Sequence, residues 1–119
     1  MKKTFLSIAF PFLIIMTLQA PNLTGTWKGS VTFQGAPLDL TYKLKAEGEA
    51  LTGSVTSSYG ELQLMDGKIS GIDFSYKIDI GNGPQESKGK FYGDSIVVVS
   101  AISGVPSTFK RVPEVKLNQ

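Results

Sequence analysis

From Trp27 onward, apolar and polar residues alternate with a period of two through nearly every stretch between glycine-rich turns. No feature constrains the chain more, because a period of two can bury one face only as a β-strand. In Trp27-Lys28-Gly29-Ser30-Val31-Thr32-Phe33 the odd positions are apolar or glycine and the even ones polar. Leu38, Leu40, Tyr42 and Leu44 repeat the pattern against Asp39, Thr41, Lys43 and Lys45, and "AEGEA" then turns the chain.

Six further runs follow. Leu51, Gly53 and Val55 face inward on the third, and "SSYG" ends it. The fourth begins with Leu62 and Leu64 inward but resumes with Gly67 and Ile69. That change of parity predicts a bulge near Met65-Asp66, since one extra residue exchanges the faces. Phe74, Tyr76, Ile78 and Ile80 make the fifth inward set, "GNGP" the next turn, and Gln85 to Tyr92 the sixth strand, with Gln85, Ser87, Gly89 and Phe91 inward. "SIVVVSA", with Ile96 and Val98 inward, is the seventh, and Ser107 to Val112, with Phe109 inward, the eighth.

No window after the first twenty residues shows a helical period. Eight short strands with turns every eight to twelve residues predict an all-β, antiparallel up-and-down meander. Closing it into a single eight-stranded barrel removes the unpaired edges.

Residues 1–20 read differently. Met1, Lys2 and Lys3 precede an apolar run from Thr4 to Leu18, and Ala20 offers a small residue for cleavage before Pro21, the pattern of a secretory signal peptide. The two-lysine start is of a bacterial style, so the expected location is periplasmic or secreted. A retained anchor is the alternative, because Leu18 is large for the cleavage site. The expected division is therefore a signal peptide over 1–20 and one barrel domain over 21–119, with no membrane span once the signal is removed.

Two of the twelve basic side chains are Lys2 and Lys3, which leaves ten against ten acidic ones in the mature span. A formally neutral domain without a basic stripe does not call for nucleic acid as a partner. Cysteine and histidine are both absent, which excludes disulfides, Ser-His and Cys-His nucleophile arrangements, and thiolate or imidazole metal sites within this chain. Asp39 and Asp79 fall on outward faces, and Glu47, Glu49, Asp66, Asp73 and Asp94 in or beside turns. "DGKISGID" lacks the spacing of a cation loop. The expectation is a non-enzymatic protein with no metal and no cofactor.

Gly25-Thr26-Trp27, at the start of the first strand, resembles the G-x-W signature of the calycin barrels, which comprise the lipocalins, fatty-acid-binding proteins and avidins. "LTGTWKG", "LDLTYKLKAEGEALTGSV", "DGKISG" and "STFKRV" together are similar to small, exported, lipocalin-like bacterial domains, over nearly all of Leu23 to Val112. The resemblance implies that an arginine from the last strand covers the tryptophan and closes that end. Arg111, the only arginine, falls where it is asked for. Biotin binding is not implied, because the avidin site uses several further tryptophans and this chain has one.

With Trp27 and Arg111 closing one end, a ligand would enter at the other. Strand direction then gives a candidate pocket of Phe33, Leu40, Tyr42, Tyr76, Ile78, Gln85 and Ser87, opening between "QGAP" and "GNGP" and suited to a small apolar or mixed molecule. An eight-stranded barrel can equally be filled by its own side chains. The alternative function is then an interaction module that docks an envelope or secreted protein through Tyr92, Val97 and Val99 on the outer face.

Overall fold

A computed structural model describes residues 22–113; the expected signal peptide and residues 114–119 lie outside the described residues. Each period-two run forms a strand: β1 Gly25–Phe33, β2 Ala36–Glu47, β3 Ala50–Ser57, β4 Gly60–Gln63, β5 Met65–Ser70, β6 Asp73–Asp79, β7 Pro84–Phe91, β8 Ser95–Val99 and β9 Pro106–Arg111. Around the sheet the order is β2, β1, β9, β8, β7, β6, β5, β3, and β3 pairs back onto β2. Because β4 and β5 both pair with β3, they act as one interrupted strand. The result is a closed, eight-stranded, antiparallel barrel with no helix among the described residues.

The interruption is the expected bulge. Met65 pairs with Lys77 and Lys68 with Ser75, so three steps on β5 match two on β6. Asp66 absorbs the extra residue at φ 51°, a left-handed conformation that a short polar side chain tolerates. The bulge lets Leu62 and Leu64 on one parity and Ile69 on the other all pack against the same core.

Inside, Trp27, Leu40, Tyr42, Val55, Tyr76, Ile78, Ile96, Val98 and Phe109 are fully buried. Two glycines at inward positions make room for rings rather than for a void. Phe74 lies directly opposite Gly89 and its ring occupies the place of a Cβ there. A Cβ at Gly29 would stand 2.6 Å from the Phe109 ring. Each ring laid on backbone in this way is worth about 2 to 3 kcal/mol of apolar burial, so the glycines serve packing.

Two expectations are corrected. The seventh strand ends at Val99, because Ser100 to Ser103 fold into a turn in which Gly104 N donates to Ser100 O at 2.7 Å. Ile80, expected inward, is 38% exposed. The β6–β7 ladder closes with Asp79 opposite Pro84, which leaves Ile80 beyond the last pair and on the rim.

Candidate functional site at the barrel mouth

The alternating strand directions put the turns at 48–49, 71–72 and 92–94 at one end of the barrel, with Trp27 and Arg111. The turns at 34–35, 58–59, 80–83 and 100–105 stand at the other. The two ends are built in different ways.

At the first end Trp27 is 0% exposed and its indole Nε1 donates to Leu23 O at 3.0 Å. Arg111, opposite it in the β1–β9 register, lays its guanidinium over the ring with Cζ 4.3 Å from the centroid. The guanidinium donates to the carbonyls of Asn22 at 2.7 Å, Thr24 at 2.9 Å and Gly93 at 3.0 Å, with Nε reaching Gly93 O at 3.3 Å. Gly25 sits at φ 145°, where L side chains are strained, and a Cβ there would stand 2.9 Å from Arg111 Nη1. The glycine and the tryptophan of "GTW" thus belong to one closed seal. Phe91 completes it, edge-on to Trp27 at 6.2 Å.

In the middle of the barrel the Tyr42 and Tyr76 hydroxyls share one hydrogen bond of 2.5 Å. Burial pushes both phenols well above their ordinary range, and the neighbouring Ser87 and Ser100 hydroxyls only partly offset it. Both stay neutral through the physiological range. Ser87 Oγ also accepts from Ala101 N at 2.8 Å, and Ser100 Oγ accepts from Ile102 N at 2.9 Å. The two phenols therefore satisfy each other and the two serine hydroxyls each take a backbone amide, with Ser87 pinning the β8–β9 turn to the interior, a use of buried polar groups that avoids the cost of leaving them unpaired.

Above this layer the mouth holds a cleft of about 390 Å³. Its apolar walls are Phe33, Leu38, Tyr59, Leu62, Ile80 and Ile102, and its polar edge is Gln34, Ser57, Glu61 and Asp79. It is bordered by Gln34 of the β1–β2 turn, Tyr59 and Gly60 around the β3–β4 turn, Asp79 and Ile80 at the end of β6, and Ile102 of the β8–β9 turn. Phe33 and Tyr59 meet edge to face at 5.6 Å. Asp79 Oδ1 accepts from Gly81 N at 2.8 Å and Gly83 N at 3.1 Å, which fixes the β6–β7 turn at the rim.

Of the seven residues expected to line a pocket, Phe33 lines this cleft. Leu40, Tyr42, Tyr76, Ile78 and Ser87 come together below it as packed interior, and Gln85 is half-buried beside Ile78, its register partner. The cavity is thus displaced upward from the expected position, because the tyrosine pair and Phe109, 5.0 Å from Tyr42, fill the barrel at mid-height. Tyr59 and Ile102 lie in turns, where strand periodicity carries no information. An isoleucine inside the polar turn "SAISG" was the one signal for the second.

Two larger grooves, of about 630 and 770 Å³, lie on the outside of the sheet. The first runs past Tyr92, Val97 and Val99 among Lys68, Asp73, Glu86, Lys88 and Lys90. The second is bordered by threonines, Lys28 and Lys43. Both are lined largely by outward-facing strand residues, whereas the mouth cleft gathers turn and strand-end residues over the barrel interior.

Comparison with protein-family models, with curated proteins and with solved structures gives no match. The closed eight-stranded barrel is consistent with a calycin-like fold, and its geometry carries the functional argument.

Proposed function

We propose that this chain is an exported, non-enzymatic, carrier-type barrel of lipocalin-like character that holds a small apolar or mixed molecule at its open end. The observation that supports this reading is the mouth cleft: six apolar side chains from six different strands and turns converge on one concavity, at the end opposite the arginine-capped tryptophan. At about 390 Å³ it lies within the usual range of small-molecule sites. Four of its wall residues, Phe33, Tyr59, Ile80 and Ile102, sit in or beside turns, so much of the wall is built by loops held on a rigid sheet.

The test is titration of the mature protein with an environment-sensitive apolar dye such as N-phenyl-1-naphthylamine. Saturable binding that is lost in Ile102→Glu and Phe33→Asp supports the carrier. Dye that fails to saturate, or that binds these variants as well as the parent, rejects it.

The second reading, docking of an envelope or secreted protein, is favoured by one observation. Tyr92 and Val99 are exposed and line, with the half-buried Val97 and with Pro106, the same outer groove. Native mass spectrometry of the protein from its own host separates the two: a reproducible small co-purified mass points to the carrier, and a second protein chain to the module.

A further inference from the structure

We infer that the mouth cleft selects molecules carrying a positive charge on an apolar body, an alkyl or aryl ammonium, over carboxylates of the same size. The inference deepens the carrier reading and rests on it. Three features of the cleft lead to it.

The first is the charge of the rim. Glu61 and Asp79 line the cleft, and among the described residues no lysine or arginine does. Asp79 spends Oδ1 on the Gly81 and Gly83 amides, which holds the carboxylate at the mouth and leaves Oδ2 outside those two bonds. Concave, weakly solvated walls concentrate such a field, so a cation approaching the apolar surface is attracted and an anion repelled.

The second is the aromatic pair. Phe33 and Tyr59 meet at 5.6 Å and 75°, and Tyr59 is 74% exposed. An exposed ring lining the same cleft as two carboxylates offers its electron-rich face to an ammonium group, as aromatic sites for alkylated amines do.

The third is the floor. A carboxylate taken into an apolar cleft needs a cation or several donors to replace its water. Beneath this cleft lie Leu40, Ile78 and the neutral Tyr42 and Tyr76 hydroxyls, already bonded to each other. The one arginine is at the far end of the barrel, its guanidinium committed to the Asn22, Thr24 and Gly93 carbonyls. Among the described residues no cation is within reach of an anionic head, and the donors at the cleft edge are the neutral Gln34 amide and the Ser57 and Tyr59 hydroxyls.

The experiment compares three probes with the same decyl chain, decyltrimethylammonium, decanol and decanoate, by isothermal titration against the full mature protein at neutral pH. The ammonium should bind about tenfold more tightly than decanol, and decanoate more weakly than either, given one cation–aromatic contact and two partly exposed charge pairs. Glu61→Gln and Asp79→Asn should each shrink the ammonium-to-decanol ratio by about two- to fivefold, as should raising the salt. The asparagine variant keeps an oxygen for the turn amides, so loss of the turn is not the cause. Equal binding of ammonium and decanol, tighter binding of decanoate, or a ratio that survives in the double variant overturns the inference while the carrier reading stands. Failure of all three probes to bind overturns the carrier reading itself.

Discussion

Removing the Trp27 ring tests the closed end most directly. The side chain is 0% exposed and is held between Arg111 above, Phe91 at its edge and the Leu23 carbonyl at its nitrogen. Trp27→Ala forfeits the transfer free energy of the ring and leaves a cavity between strands that their ladder bonds keep apart, together about 3 to 5 kcal/mol. Arg111 loses its aromatic partner, about 0.5 to 2 kcal/mol, part of which the first figure already contains. Against a total of about 5 to 15 kcal/mol for a domain of this size, the variant should be close to unfolding at room temperature. Trp27→Phe is the milder companion: it keeps a ring but loses the Nε1 bond and some area, and should cost about 1 to 2 kcal/mol. Since the chain has one tryptophan, unfolding in urea has to be followed by far-ultraviolet circular dichroism. Pairing Trp27→Phe with Arg111→Lys in a double-mutant cycle should give a coupling of about 0.5 kcal/mol or more, because the flat guanidinium both stacks and bonds three carbonyls. A Trp27→Ala loss below about 1 kcal/mol at an unchanged urea slope would refute the buried seal.

The tyrosine layer makes a prediction in pH. Burial raises both the Tyr42 and Tyr76 phenols above 10.0, while the unfolded chain releases those protons near 10. Their contribution is therefore fully present below pH 10 and lost above it, at about 1.4 kcal/mol per pH unit for each phenol; the double variant Tyr42→Phe/Tyr76→Phe should flatten that alkaline fall in urea midpoints. Either single variant leaves a buried hydroxyl short of a partner and should cost about 1 to 3 kcal/mol, with the double costing less than the sum. Gly89→Val should prevent recovery of folded protein, because the Phe74 ring occupies the place of its side chain; a folded Gly89→Val with parental dichroism would show that the ring can move aside.

The strands were legible because water on one side of a sheet and a core on the other impose a period of two on the residues themselves. Even the bulge was legible, through the change of parity between Leu64 and Gly67, and Asp66 marks it. Strand ends were less so. The sequence after Val99 continues with residues that suit a strand, and what stops it is a local bond from Gly104 to Ser100 that periodicity does not encode. The mouth was the least legible part. Phe33, Tyr59, Ile80 and Ile102 come from four separate turns or strand ends, and closure of the barrel alone makes them neighbours. Parity says that Leu40 and Tyr76 point inward, but how far up the barrel the packing reaches depends on side-chain volumes meeting across the axis. Here Tyr42 against Tyr76 and Phe109 settles it.

That packing separates the work of the two halves. From the Trp27 seal up to the tyrosine layer the interior is filled, so a ligand reaching deeper would have to displace side chains whose loss costs about 2 to 5 kcal/mol each. On the carrier reading, binding is therefore confined to the mouth, where Tyr59 and Ile80 are exposed and Leu38, Leu62 and Ile102 only partly buried. The β8–β9 turn joins the halves: Ser87 and Ser100 rise from the packed layer to hold the Ala101 and Ile102 amides, and this fixes Ile102 as a wall. A wall held by buried hydroxyls loses little entropy when a ligand arrives, which favours binding through preorganisation even at a shallow site. A shallow site also leaves part of its ligand in water. On the proposed selectivity, affinity would come from the apolar area that is covered, and discrimination from the rim, where Glu61 and Asp79 would act before contact is complete.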